Sequence, residues 1–445
     1  MESNKTIVAI STPDAPGAIG IVRISGPDAI TIADKIWKGR SLANAESHKA
    51  IIGSVISDGQ TIDPSVMALP FRTPASYTGE DTVEFHLHGS PLILRLTVEA
   101  LIKEGASPAG PGEFTMKAFL NHRIDLAQAE GIADLIAAQS KAAITLAATQ
   151  VGGRYSARIN ELRDKLLNLA TLLELELDFS EEDVSFASRD QLTETAKSIR
   201  QQIHTLIGSY NAGQAIRQGL PVVIAGAPNS GKSTLLNTLI DDDRAIVSNI
   251  PGTTRDAIEA TANIGSLQIR YIDTAGIRPT SDPVEKIGID RALNHIRNAR
   301  IILLLKDPTS PESTFTLPAD ISPEAETISI FTKSDIAKPT SDSRLAISAK
   351  TGEGISALKS KIKQIAEQNL NLNADVIITN VRHREALQQA DRALEATLQT
   401  LMQGQTADLT ALHLRHAIDS LSEITGAITT SAILQNLFSS FCIGK

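Results

Sequence analysis

The sequence predicts a multidomain α/β and α chain: an N-terminal α+β domain, a helical domain, and a doubly wound α/β domain inserted into the helical one. Three observations predict it. The chain has 445 residues, more than one hydrophobic core ordinarily organises. Its patterning runs from mixed to helical, then to short apolar runs separated by helical stretches, then back to helical. A glycine-rich phosphate-loop motif sits at the end of the first of those apolar runs.

Residues 1–118 form the first domain. "TIVAI" and "AIGIVRIS" read as strands, with turn chemistry at Pro16-Gly17 and Gly26-Pro27. "VEFHLHGS" alternates with period two, and "PLILRLTVEALIKEG" carries apolar residues at helical spacing. Residues 119–215 are helical. Ile159, Leu162, Leu166, Leu169 and Leu173 make one stripe at three- and four-residue spacing, after a break at Gly152-Gly153. Residues 216–368 contain "LPVVIAG", "SLQIRYID", "ARIILLLK", "ETISIFTKSD" and "RLAISAK", buried strands ending at polar loops. Residues 369–445 return to helix, with Leu387, Ala390, Leu394, Leu398 and Leu401 as one stripe, and complete the helical domain.

Composition narrows the class. With 42% hydrophobic and only 3% aromatic residues, the cores must be mostly aliphatic. No apolar run approaches the roughly 20 residues needed to span a bilayer, so no membrane association is expected. The start "MESNKTIVAI" lacks the pattern of a signal peptide. The one cysteine, Cys442, cannot form an internal disulfide, which suits a reducing cytoplasm. A net charge of −9 argues against a generic nucleic-acid coat, while leaving room for RNA binding through local basic patches.

The inserted domain carries the chemistry. Gly226-Ala227-Pro228-Asn229-Ser230-Gly231-Lys232-Ser233 matches G-x-x-x-x-G-K-S, preceded by the strand Val222, Val223, Ile224 and followed by a helix that includes Thr234. Its loop amides can surround a β-phosphate, Lys232 can reach the β/γ oxygens, and Ser233 can ligate Mg²⁺. "PGTTRD" offers Thr254 as a second magnesium ligand, and Asp273-Thr274-Ala275-Gly276 completes the metal and γ-phosphate contacts. In Thr332-Lys333-Ser334-Asp335 the Asp335 carboxylate can accept N1–H and N2–H₂ of guanine, a pairing that adenine does not offer. Ser348-Ala349-Lys350 can supply an amide to guanine O6. Five elements in this order specify a GTPase. Thr332 replaces the usual Asn of N-K-x-D, so loss of that residue's contacts to guanine N7 and to the phosphate loop is expected. Ile277 follows the DTAG loop where many GTPases carry the water-positioning Gln, and it cannot orient water.

Beyond these motifs the chain resembles the MnmE (TrmE) family of tRNA-modification GTPases almost end to end. The resemblance rests on "TIVAISTPDAPGAIGIVRISG", "PASYTGEDTVEFHLHG", "PGEFTMKAFLNHRIDLAQAEGIADLI", the GTPase motifs and the terminal "FCIGK". It implies a folate-binding N-terminal domain, a Ras-like GTPase domain and a homodimer joined through the N-terminal domains. It also implies a complex with the FAD-dependent partner MnmG (GidA), a heterotetramer or larger, that modifies C5 of wobble uridine in certain tRNAs. The one-carbon source would be 5-formyl-tetrahydrofolate or a related folate. Arg23, Glu80 and Arg123 fall at the family's folate residues, Arg123 where Lys is frequent, and Lys445 or its carboxylate is expected near the same ligand. The family's "HGG" stands here as His88-Gly89-Ser90.

The resemblance also accounts for Ile277. Family members dimerise their GTPase domains and use potassium in place of an arginine finger. Asn229 would coordinate that ion, with Ser248-Asn249-Ile250-Pro251-Gly252-Thr253 as the completing loop, and Ser248, Ile250 and Thr253 as ligands. Glu285 falls at the catalytic Glu that acts through a bridging water; as a bare feature it is also a common helix-start residue. Cys442 belongs to a motif implicated in the modification. A different class of function, a regulatory GTP switch such as a ribosome-assembly factor, needs neither the folate motifs nor "FCIGK". A stand-alone folate aminomethyltransferase needs no nucleotide elements.

Overall fold

The structure, a computed structural model, describes residues 5–178, 189–241, 259–274, 293–297, 299–310, 315–323, 325–337, 345–370, 376–439 and 441–444. It contains two compact units: residues 1–133, 150–164 and 418–445, and residues 134–149 and 165–417.

The first unit is built on a seven-stranded sheet. Its strands are β1 (Ile7–Ile10), β2 (Ile19–Ser25), β3 (Trp37–Gly39), β4 (Ile51–Ser57), β5 (Gln60–Phe71), β6 (Thr82–His88) and β7 (Ser107–Pro108), in the order β3-β4-β5-β6-β2-β1-β7. The alternation read in "VEFHLHGS" is real. Val83, Phe85 and Leu87 are buried, while Glu84, His86 and His88 take the other face. The buried face packs on α1 (Ala29–Lys35) and α2 (Pro91–Lys103) through Ala29, Ala33, Leu94 and Leu101. On the opposite face Ile7 and Ala9 meet Phe114 of α3 (Glu113–Leu120). That helix begins before the boundary read at 119, because Phe114 is wholly buried and draws its turn into the sheet's second layer.

The helices α4 (Leu126–Ala137), α5 (Lys141–Val151), α6 (Arg154–Asp178) and α7 (Arg189–Gln218) follow. Gly152-Gly153 separates α5 from α6, and the whole α6 stripe from Ile159 to Leu173 is buried. Each such side chain contributes about 1.5–3 kcal/mol over an exposed one.

The second unit holds a six-stranded sheet of β8 (Leu220–Gly226), β9 (Glu259–Ile264), β10 (Leu267–Asp273), β11 (Ile301–Lys306), β12 (Glu326–Phe331) and β13 (Leu345–Ala346), ordered β13-β12-β11-β8-β10-β9. Only the β9–β10 pairing is antiparallel. Both faces are covered, so β8 is apolar throughout. Val222 and Ile224 join one core with Leu235, Leu236 and Leu239 of α8 (Lys232–Asp241). Val223 and Ala225 join the other with Ile296 and Ile302. The central strand β8 pairs with β10 on one side and β11 on the other, which opens a crevice at their carboxyl ends. Helix Val381–Met402 packs on α7, with the Arg200 Nε–Asp391 Oδ1 ion pair at 2.9 Å and Arg384 over the Tyr210 ring at 4.3 Å. Among the described residues no helix is long and apolar enough to cross a membrane.

Candidate functional site

The crevice at the carboxyl ends of β8, β10, β11 and β12 gathers the predicted nucleotide residues that the structure describes. The loop from β8 to α8 turns through two left-handed residues, Asn229 (φ 62°) and Gly231 (φ 93°). Such a conformation lets successive backbone N–H groups face one centre, the geometry that cradles phosphate. Lys232 folds over the loop and donates from Nζ to the carbonyls of Gly226 (3.0 Å) and Ala227 (2.9 Å). Ser233 and Thr234 lie in the first turn of α8, where the helix dipole favours an anion.

Ser233 Oγ donates to Asp273 Oδ2 at 3.0 Å, although the two are far apart in sequence. Strand pairing causes this: Asp273 lies opposite Ile224 in the β10–β8 register. Thr274 then fixes the exit of β10, donating from N (3.3 Å) and Oγ1 (2.8 Å) to the Ile224 carbonyl. A hydroxyl and a carboxylate within hydrogen-bond distance at the edge of a phosphate loop are the hard oxygen donors that suit Mg²⁺.

The base-reading side differs from expectation in one respect. Thr332 was expected to lose the tether to the phosphate loop, but its Oγ1 donates to the Ser230 carbonyl at 2.8 Å in a buried setting. The backbone bond from Thr332 N to the Lys306 carbonyl (3.0 Å) brings residue 332 close enough for the shorter side chain to reach. Asp335 stands exposed at the loop, free of burial cost for meeting a base. Ser334 N donates to the Ile347 carbonyl (3.1 Å), joining this loop to the Ser348-Ala349-Lys350 turn. Ser348 N donates within that turn to the Glu353 carbonyl (3.0 Å), so this amide is already engaged inside the turn.

Sequence reasoning missed Asp307. This residue follows β11, and Lys333 Nζ pairs with its Oδ2 at 2.6 Å. Thr309 adds bonds from N (2.9 Å) and Oγ1 (2.6 Å) to Oδ1. Burial pushes the Asp307 carboxyl up, but the hydrogen bonds from Lys333 and Thr309 outweigh it and hold the group below the usual aspartate range. A depressed folded pKa contributes stability that is complete above the ordinary value and is lost as pH falls through the folded one. The melting-temperature gap between wild type and Asp307→Asn is therefore expected to be widest near neutrality and to close below about pH 4. A gap that stays constant across thermal scans from acid to neutral buffer would contradict this.

The first unit places its own predicted residues around the loop 76–82 and the chain terminus. Arg23 on β2 pairs with Glu84 (Nε–Oε1 2.8 Å) and lies near the rings of Tyr77 (5.7 Å) and Phe114 (5.6 Å). Its Nη1 donates to the Gly444 carbonyl at 3.4 Å, and Ser11 Oγ donates to the same oxygen at 3.1 Å. The tail is held further by the Pro111–Ile443 bridge and by Gly112 N donating to the Cys442 carbonyl at 3.3 Å. Gly444 (φ 93°) admits no side chain, since a Cβ there would collide with the Ile10 carbonyl. Cys442 is exposed. Glu80 pairs with the buried Lys117 at 2.8 Å, and Lys117 also donates to the Lys5 carbonyl at 2.8 Å. The stem of exposed Arg123 passes over Gly79, beside Glu80. Lys117 and Glu84 were not anticipated. Of the other predicted residues, Ser248, Asn249, Ile250, Pro251, Gly252, Thr253, Thr254, Ala275, Gly276, Glu285 and Lys445 lie outside the described residues.

Comparison with known proteins accords with both units. Residues 6–123 match the family model "GTP-binding protein TrmE N-terminus", and residues 126–442 match "MnmE helical domain". The tRNA modification GTPase MnmE of Christiangramia forsetii is 41% identical over 475 residues, covering 100% of both chains. That of Bacteroides fragilis is 42% identical over 463 residues, covering 99% of each. Among solved structures, the G domain of the T. maritima FeoB iron transporter is 30% identical over 33% of this chain and 98% of its own, with a TM-score of 0.28. The chain belongs to the MnmE family of tRNA modification GTPases, GTP hydrolases that take part in tRNA modification.

Proposed function

We propose that the chain hydrolyses GTP in a potassium-dependent reaction and, with the FAD-dependent protein MnmG, installs an aminomethyl or carboxymethylaminomethyl group at C5 of wobble uridine in certain tRNAs. In this reading it works as a cytoplasmic homodimer with residues 1–118 as the folate-binding and dimerisation domain, 119–215 plus 369–445 as the helical domain, and 216–368 as the GTPase domain. The observation that carries the reading is the docking of the cysteine-bearing tail on Arg23 through the Gly444 carbonyl. A GTP switch without modification chemistry has no use for such a contact.

The residues present fit the groups this reading needs. Asn229, turned left-handed inside the phosphate loop, offers a side-chain oxygen for a monovalent cation. When bound, potassium supplies positive charge between the phosphates, the task an arginine finger performs elsewhere. Ser248, Ile250 and Thr253 would complete its shell, Thr254 would join Ser233 at magnesium, and Glu285 would orient the attacking water. For a folate, Arg23 offers a guanidinium near the rings of Tyr77 and Phe114, and Glu80 a carboxylate paired with Lys117. Arg123 and Lys445 add positive charge suited to the glutamate end. The folate supplies the one-carbon unit.

Hydrolysis is expected to run well above the sodium rate in potassium buffer at equal ionic strength. Glu285→Ala should keep nucleotide affinity while kcat falls about 10²–10⁴-fold, the range for loss of a proton-handling group. Equal rates in the two salts would reject the cation mechanism, and normal turnover in the variant would reject the role of Glu285.

A further inference from the structure

The structure assigns Asp307 a part in nucleotide selection: it is the positioning residue that, through Lys333, aims Asp335 at a guanine base. The assignment rests on the reading of Asp335 as the group that meets the base. Asp335 is exposed, and among the described residues its side chain makes no hydrogen bond or ion pair. Its direction is therefore set by the backbone beneath it. That backbone turns at Lys333, whose carbonyl accepts from Ile336 N at 2.9 Å and Ala337 N at 3.1 Å, closing the turn from which Asp335 projects. Lys333 itself is left-handed, at φ 59°. Glycine takes that conformation without strain, whereas a residue with a Cβ holds it only when its surroundings impose it.

Asp307 supplies that constraint. Its Oδ2 receives Lys333 Nζ at 2.6 Å, and the Asp307 side chain is only 6% exposed, so water screens the pair weakly. The carboxylate is kept from swinging away, because Thr309 engages the other oxygen from N (2.9 Å) and Oγ1 (2.6 Å). Thr332 on the Ser230 carbonyl and Ser334 N on the Ile347 carbonyl fix the residues on either side of Lys333. The Asp307 pair holds the residue between them, and a change of φ there re-aims everything that the turn carries. Guanine makes aim matter. It presents N1–H and N2–H₂ to one carboxylate, and a hydrogen bond weakens steeply as its angle departs from linearity. Hypoxanthine lacks the amino group at C2, so preference for guanine over hypoxanthine measures how well Asp335 is aimed.

The test uses the full chain as Asp307→Asn, as Lys333→Gly and as both, with affinity for GDP and for IDP read by competition against a fluorescent GDP analogue. Asparagine keeps an oxygen for Thr309 and sets an amide donor against Lys333. The GDP-to-IDP affinity ratio should fall about fivefold in Asp307→Asn, a fraction of the loss expected when a hydrogen bond to a charged acceptor is removed outright. In the Lys333→Gly background, where glycine holds the turn without a tether, Asp307→Asn should shift the ratio by less than about twofold. A role in stability alone would lower both affinities together and leave the ratio unmoved, which overturns the proposal. So does an equal fall in the two backgrounds, since Asp307 would then act by another route than Lys333. No preference for GDP in the wild type overturns the reading of Asp335 itself; a clear wild-type preference that Asp307→Asn leaves intact overturns the proposal alone. If Asp307→Asn does not fold, Thr309→Val replaces it at an exposed position and loosens the carboxylate. A fall of about twofold in the ratio is then the expected result, and an unmoved ratio overturns the proposal.

Discussion

Asp335→Asn is expected to convert the nucleotide preference from guanine to xanthine. Under the proposed assignment the Asp335 carboxylate accepts two hydrogen bonds from guanine, each worth about 1.5–3 kcal/mol because the acceptor is charged. Their loss predicts a fall in GTP affinity of about 10²–10⁴-fold. An Asn amide presents one acceptor and one donor, which match N1–H and the C2 carbonyl of xanthine, so XTP should gain what GTP loses. The structure makes the experiment clean. Asp335 is exposed, while the loop's position is fixed by neighbours: Thr332 on the Ser230 carbonyl, Lys333 on Asp307, and Ser334 on the Ile347 carbonyl. Competition of GTP and XTP for a fluorescent nucleotide reads the switch. Unchanged GTP affinity in the variant would remove the base-reading role from Asp335.

The second large effect concerns the tail. Cys442→Ser is expected to lower tRNA modification by at least about 10²-fold while GTP hydrolysis stays at the wild-type rate, since a serine hydroxyl is far less nucleophilic and acidic than a thiol. The tail's seat should survive, because its contacts run through backbone groups: the Cys442 carbonyl on Gly112 N, the Ile443 bridge to Pro111, and the Gly444 carbonyl on Arg23 and Ser11. Gly444→Ala offers the contrast. It leaves the thiol in place and unseats the tail, so loss in both variants would assign both chemistry and placement. Modified nucleoside at the wild-type level in Cys442→Ser would leave the thiol without a role.

The strands were legible because burial on two faces writes an uninterrupted apolar run, as in Val222 to Ala225. The nucleotide motifs were legible because each is a contiguous run at the carboxyl end of one strand, so β8, β10 and β12 each carry their own signature into the loop that follows. What the sequence hid were partners set by tertiary register. Asp307 meets Lys333 across 26 residues, and Lys117 meets Glu80 across 37. An acid after a strand or a lysine on a helix is too common to signal such a pairing. Arg23 meets Gly444 across 421 residues through a backbone carbonyl, a group that every residue carries. Thr332 was misjudged for a related reason: side-chain length was weighed without the backbone position that compensates for it.

The most direct measurement is nucleoside analysis of tRNA from cells lacking this protein, with the gene restored as wild type or as Lys232→Ala. Lys232 arches over the phosphate loop of the second unit, whereas the modification chemistry is proposed for the first. The account predicts that the C5-modified wobble uridine is absent without the gene, returns with wild type, and does not return with Lys232→Ala. Modified uridine at the wild-type level in cells without the protein, or full restoration by the Lys232 variant, would contradict it.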